Sequence, residues 1–240
     1  MWQIRSSSLG RILVPPDVPA GFAVFTTSID FLGRITTDVA ASIGEAIAEM
    51  FGIDSTLATC NQIHGAHVAR ASRDSAWREC DACDALWSDE SRVALGIKVA
   101  DCLPVTMIDP AHRVIANVHS GWRGAVQRIT SETLDTLQRE TAFEVSHARA
   151  WLGPSIRTCC FEVGEEVASQ FDEIFVDRTR ARPHVDLVAF TAAMLHERGF
   201  TAERISDSGV CTRCEDSIFH SFRRTGAGGG RNLQLVAQGS

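Results

Sequence analysis

His64, Cys102 and His119 are the residues of this chain whose types could do chemistry together. Two imidazoles and a thiolate suit zinc, and a catalytic zinc keeps three protein ligands with its fourth position open to water or substrate. Each residue lies in a segment of distinct local character: NQIHGAHV (61–68), ADCLPVTMID (100–109) and NVHSGWRG (117–124). Their wide separation along the chain excludes a local finger, so a folded scaffold must bring them together. The same atoms suit a second chemistry, a cysteine hydrolase in which Cys102 is the nucleophile and His119 its general base. His64 discriminates between the two, because a thiol–imidazole dyad leaves it unexplained. Taken singly, each residue also has a structural reading, since a lone histidine is often a hydrogen-bonded scaffold residue and a buried cysteine is often inert. His67 is a spare that a strand would turn to the face opposite His64.

Positive charge gathers in two glycine-bearing segments. In GWRG (121–124), Gly121 and Gly124 free the backbone at a helix entrance and Arg123 adds a planar cation, an arrangement suited to an anion or to a tight turn with a solvated arginine. FHSFRRTGAGGGRN (219–232) holds Arg223, Arg224 and Arg231, and reads as a phosphate-gripping loop or a flexible crossing. Glu162 either supports a ligand or is simply exposed. The eight cysteines include two CxxC pairs, Cys80/Cys83 and Cys211/Cys214. The pairs are too far apart for the usual ribbon spacing, which favours buried thiols and local redox pairs over a shared four-cysteine metal site.

The elements that must position these groups follow from periodicity. FAVFTT (22–27) predicts a strand, and Asp38 to Phe51 a helix with Val39, Ile43, Ile47 and Met50 on its apolar stripe and Gly52 closing it. Strand-like runs follow at 57–62, 66–70, 84–88, 93–100, 103–108 and 113–119. The last two are joined by the turn signal DPAH and predict a hairpin. Residues 124–140 predict one amphipathic helix with Val126, Ile129, Leu134 and Leu137 inward. A strand at 149–153, helices near 163–175 and 185–198, and strands at 203–207 and 232–238 complete the pattern. The reading is α+β, a single domain over 1–240 with a largely antiparallel or mixed sheet.

Composition bounds the function. The 240 residues are 45% hydrophobic and 22% charged, ordinary for a globular chain able to bury a core. A net charge of −7 gives no footprint for nucleic acid, though arginines can still cluster around a small anion. No apolar run is long enough to span a bilayer, and the N-terminus lacks a signal-peptide core, so the expectation is a cytoplasmic protein. The sequence does not fix whether the chain is a monomer or a homo-oligomer.

The ordered set NQIHG, DALWSD, IKVADCLPV, NVHSGWRG, LGPSI–CCFEVGEEV, CTRCEDSIFHSFRR and GRNLQ resembles the YfiH family from about residue 20 onward. These laccase-domain, or polyphenol-oxidase-like, proteins are regarded as purine nucleoside phosphorylases. The resemblance implies a mixed α/β fold similar to the catalytic domain of a deamidating bacterial toxin, with zinc held by His64, Cys102 and His119. It also implies phosphorolysis of adenosine, inosine or guanosine to base and ribose 1-phosphate. Some members act on methylthioadenosine, and adenosine deamination accompanies the activity. One departure follows FTT (25–27), where many members carry an Arg and paired glycines. This chain has SIDFLGR, and Arg34 is the residue available to substitute. An older family label, copper-dependent phenol oxidase, would need histidines in HxH pairs, and the sequence has none. Members are also connected with editing of peptidoglycan precursors, on which these residues are silent. A purely non-catalytic binding module would have no use for an open metal position.

Overall fold

The computed structural model describes residues 1–31, 37–75, 79–80 and 82–240. The chain forms β1 (Gln3–Ser7), β2 (Gly10–Val14), β3 (Phe22–Thr27), α1 (Thr37–Phe51), β4 (Thr56–Cys60), β5 (Val68–Arg70), β6 (Glu79–Cys80), β7 (Ala85–Ser88), β8 (Val93–Val99), β9 (Leu103–Asp109) and β10 (Val114–Ser120). It continues through α2 (Trp122–Val126), α3 (Ile129–Glu140), β11 (Arg149–Leu152), α4 (Glu165–Ala168), β12 (Val176–Asp177), β13 (His184–Val185), α5 (Leu187–Glu197), β14 (Ile205–Asp207), α6 (Phe222–Thr225) and β15 (Asn232–Gln238).

These strands build a 7-stranded sheet, β1-β2-β3-β15-β8-β4-β6, and a 6-stranded sheet, β14-β11-β9-β10-β7-β5. Most pairs are antiparallel, and β4 joins β8 and β6 in parallel, as β5 does β7 and β14 does β11. The DPAH turn closes the expected hairpin, with β9 and β10 in register from Val114 opposite Asp109 to Ser120 opposite Leu103. The mixed, largely antiparallel α+β reading therefore holds.

Alternation along the strands explains the layering. Val24, Leu95, Ile97 and Val236 of the first sheet meet Leu86, Ile108, Ile115 and Trp151 of the second between the sheets. The outer face of the first sheet, with Phe25, Leu57, Leu233 and Leu235, is covered by Ile43 and Ile47 of α1. The outer face of the second, with Val105, Met107, Val114 and Val118, is covered by α3 and α5 through Leu134, Leu137, Leu187 and Leu195. Each fully buried Leu or Ile contributes about 1.5–3 kcal/mol. Polar side chains between the sheets make a paired set at Asn117, Gln234 and Thr106: Asn117 donates to the Leu95 and Gln234 carbonyls, and Gln234 donates to Thr106 Oγ1 at 2.9 Å.

Several elements differ from their sequence reading. The expected helix over 124–140 is two helices. Helix α2 begins earlier, at Trp122, and Arg128 takes a left-handed conformation (φ 59) before α3 starts. That break re-phases the chain so that Ile129, Leu134 and Leu137 are all buried. The expected helix near 163–175 shrinks to α4, because Asp172 is extended and begins a separate 3-10 turn over Glu173–Phe175. The β1–β2 hairpin had no periodic signal, since β1 is almost wholly exposed. Gly52 closes α1 as expected, with φ +68 and its N–H donated to the Ala48 carbonyl. Arg34 lies outside the described residues.

The connections that matter cross between the sheets at one end of the sandwich. Strand β4 of the first sheet leads through 61–67 to β5 of the second, and β8 leads through 100–102 to β9. Strand β10 ends beside the start of β9, and β15 starts beside the end of β8. Residues at these points converge without belonging to one local motif. No helix among the described residues is long and apolar enough to cross a membrane.

Candidate metal centre

His64 sits in the first crossing, Cys102 in the second and His119 at the last turn of β10. Their donor atoms all lie within 4.8 Å of one another, and the two imidazoles meet edge to face at 4.8 Å between centroids. Exposure is graded: His64 is exposed, Cys102 half-buried and His119 buried. The open side therefore faces away from the core. His67 stays exposed and outside this group.

Two backbone strains hold the donors in place. His64 (φ 60) and Asp101 (φ 85) both occupy the left-handed region, which residues other than glycine enter only when their surroundings impose it. The surroundings are carboxylates. Asp84, fully buried at the head of β7, accepts the N–H groups of Ile63, His64 and Gly65 at 3.1, 2.9 and 2.7 Å. The same carboxylate accepts from His119 Nδ1 at 2.7 Å. Since a carboxylate only accepts, Nδ1 carries a proton, and Nε2 is the nitrogen that a metal would take in place of its own proton. Asp101 accepts Thr212 Oγ1 at 2.6 Å, Ser221 Oγ at 3.1 Å and the Arg223 N–H at 2.6 Å. It fixes the residue before Cys102 and the turn carrying Arg223 at once.

Electrostatics follow from this packing. Burial pushes the Cys102 thiol up, but the charge and hydrogen bonds of His119 and His64 outweigh it and bring it down to about 6. Burial likewise pushes His119 down, while the Cys102 thiolate and Asp84 raise it to about 9. For Asp84, burial is outweighed by His119 and by the loop N–H groups, which hold the carboxyl below its usual range. A sulfur readily deprotonated beside two imidazoles is a donor set that suits zinc. Gly121 keeps the space beside it clear, since a Cβ there would stand 3.0 Å from Cys102 Sγ and 3.2 Å from His64 Nδ1. At Gly124 a Cβ would stand 3.0 Å from the Gly65 carbonyl, so α2 can press on the His64 loop only with glycine there.

The three donors form part of the wall of a cavity of about 840 Å³. Arg123, Arg223 and Arg231 line it, with Trp122, Phe161 and Phe222. Each arginine lies over one of these rings: Arg123 over Trp122 at 4.3 Å, Arg223 over Phe161 at 5.8 Å and Arg231 over Phe222 at 5.7 Å. Arg224 is placed otherwise. Its guanidinium donates to the carbonyls of Thr212, Arg213 and Phe219 and is not among the lining residues. Glu162, left open by the sequence, lines the cavity with Glu166, Lys98 and Arg182. Asp84 and Asp101 are the contributors that sequence reasoning missed. Their signals were an acid opening the apolar run DALWS and an acid immediately before Cys102.

Residues 32–238 match the family model described as multi-copper polyphenol oxidoreductase laccase. The chain is 32% identical over 203 residues to adenosine deaminase RL5 of an unknown prokaryotic organism, covering 78% of this chain and 77% of that protein. It is 29% identical over 207 residues to purine nucleoside phosphorylase YlmD of Bacillus subtilis (strain 168), covering 80% and 74%. Its fold superposes on the crystal structure of the Bacillus licheniformis hypothetical protein YfiH with a TM-score of 0.84 at 21% identity, covering 98% of each chain.

Proposed function

The chain belongs to the multi-copper polyphenol oxidoreductase laccase family, and we propose that it is a zinc-dependent purine nucleoside phosphorylase with an accessory adenosine deaminase activity. Its substrates in this reading are adenosine, inosine, guanosine or methylthioadenosine, with phosphate. The observation that carries the reading is one cavity walled by both the open His64–Cys102–His119 donor set and three arginines. The names of the two relatives, an adenosine deaminase and a purine nucleoside phosphorylase, support it.

Zinc held by His64, Cys102 and His119 supplies Lewis acidity at the cavity wall. Trp122, Phe161 and Phe222 offer flat apolar surface to a purine, and Arg123, Arg223 and Arg231 offer planar donors to phosphate. In phosphorolysis a phosphate oxygen bonds to the ribose C1′ as the bond from C1′ to the base breaks, and the electron pair leaves with the base. The base then needs a proton, and Glu162 and Glu166 are the cavity carboxylates placed to move one. In deamination water adds at the purine carbon bearing the amino group and ammonia departs, again with proton transfer by a carboxylate.

The low Cys102 pKa beside His119 also favours the cysteine-hydrolase reading, in which the thiolate attacks directly. Incubation with adenosine, inosine and methylthioadenosine, with and without phosphate, separates the readings. Free base and ribose 1-phosphate that appear only with phosphate support phosphorolysis. Base release independent of phosphate, and insensitive to chelation of the metal, would replace it with a hydrolase.

A further inference from the structure

The fold brings together a second group of metal-binding side chains, on different segments from the first. Cys159, Cys160, Cys211 and Cys214 place their four sulfurs within 4.8 Å of one another. Cys214 Sγ stands 3.5 Å from Cys160 Sγ and 3.8 Å from Cys159 Sγ. A disulfide needs about 2.0 Å. A tetrahedron with zinc–sulfur bonds of about 2.3 Å has sulfur–sulfur edges of about 3.8 Å. The sulfurs are thus too far apart for disulfides and close enough to surround one ion.

Backbone pairing, rather than side-chain chance, creates the cluster. The two segments run side by side: Ser155 N–H donates to the Val210 carbonyl at 3.3 Å and Thr212 N–H to the Ser155 carbonyl at 3.0 Å. A tight turn, with the N–H groups of Cys160 and Phe161 both on the Arg157 carbonyl, lets consecutive cysteines reach one point. On the opposite side the CxxC forms a knuckle, with Cys214 N–H on the Cys211 carbonyl. The N–H groups of Arg157, Arg213 and Cys214 are directed at Cys211 Sγ. Such N–H donors stabilise a thiolate. Cys83, of the other CxxC pair, is a buried free thiol hydrogen-bonded to Cys60.

We propose that these four cysteines form a closed, structural zinc site that staples the knuckle 211–214 to the turn at 157–160. Four protein ligands leave no open position, so this site holds shape where the three-ligand centre does chemistry. What it holds is specific. Thr212, inside the knuckle, donates to Asp101 beside Cys102, and Arg224 ties the Thr212 and Arg213 carbonyls to the turn that carries Arg223. Zinc at the staple thereby fixes one wall of the cavity from outside it. The inference stands independently of the reaction assigned to that cavity.

The test is metal content of the reduced, purified full chain, together with the spectrum of its cobalt-substituted form. Wild type is expected to hold two zinc ions, Cys102→Ala one, and Cys160→Ser/Cys214→Ser one. Cobalt in the Cys102→Ala chain should show the charge-transfer and d–d bands of a tetrahedral four-thiolate site, which holds even where the double variant fails to fold. A folded Cys102→Ala chain that binds no zinc, with Cys159, Cys160, Cys211 and Cys214 all reacting freely with a thiol reagent, overturns the proposal. Two disulfides among these four cysteines, detected by mass, overturn it equally.

Discussion

A carboxylate with no exposure to water is tolerated where its oxygens are saturated with donors, and Asp84 meets that condition with three backbone N–H groups and one imidazole. Asp84→Asn keeps the shape but directs an amide N–H at other donors and withdraws the charge behind His119. Metal affinity at the three-ligand centre should fall about 10–100-fold, measured by competition with a chromophoric chelator; unchanged affinity would contradict the role given to Asp84. Arg223 is held by Asp101 through its backbone and reaches the cavity with its side chain. Losing its charged hydrogen bonds, about 1.5–3 kcal/mol, should raise the KM for phosphate about 10–100-fold in Arg223→Ala with metal content unchanged. A KM for nucleoside that rises instead would move Arg223 to the other substrate. His64, Cys102 and His119 were legible in the sequence because ligand chemistry limits the residue types and each stands where a strand pattern ends. Asp84 was not, because an acid heading an apolar run reads as a strand-end charge until the fold buries it.

Among the elements, the sheet-to-sheet crossings carry the site. Helix α2 then closes over them, and its packing depends on two glycines rather than on apolar area. Gly121→Ala places a methyl 3.0 Å from Cys102 Sγ and 3.2 Å from His64 Nδ1. The expected result is a folded chain, by circular dichroism, whose metal occupancy at the three-ligand centre drops by about tenfold or more, as when ligands are displaced by a fraction of an ångström. Full occupancy would show that the donors can give way. Long apolar strands and α1 were readable from periodicity, since β8, β9, β10 and β15 are buried along nearly their whole length. The break between α2 and α3 was not, because the left-handed residue there is Arg128 and carries no glycine signal. The four-cysteine cluster was missed for a related reason. Spacing weighed Cys211/Cys214 only against the other CxxC and argued against a shared site, whereas the Ser155–Cys211 bridge brings in Cys159 and Cys160.

At the scale of the whole molecule, two sheets covered by helices on both outer faces make a rigid frame whose stability has its own pH dependence. Asp109, fully buried at the β9–β10 hairpin, accepts from the Glu144 N–H at 2.8 Å, His112 Nδ1 at 2.8 Å, and the N–H groups of Ala111 and His112. Burial pushes this carboxyl up, and those bonds more than offset it, holding it below its usual range. Its contribution is therefore present above the unfolded value of about 3.9 and lost as pH falls through the lower folded value. Asp109→Asn should cost roughly 1.5–3 kcal/mol in urea unfolding at neutral pH. That deficit should narrow toward pH 3, and a constant deficit would remove Asp109 from the acid response. The frame holds the His64, Cys102 and His119 donors at the wall of an arginine-lined cavity, and Cys102 belongs to both. The most direct test measures zinc per chain and phosphate-dependent release of hypoxanthine from inosine on one preparation of Cys102→Ala. The account predicts that the variant holds one zinc fewer than wild type and turns over at least about 100-fold more slowly. Wild-type turnover in a chain that has lost that zinc would contradict it.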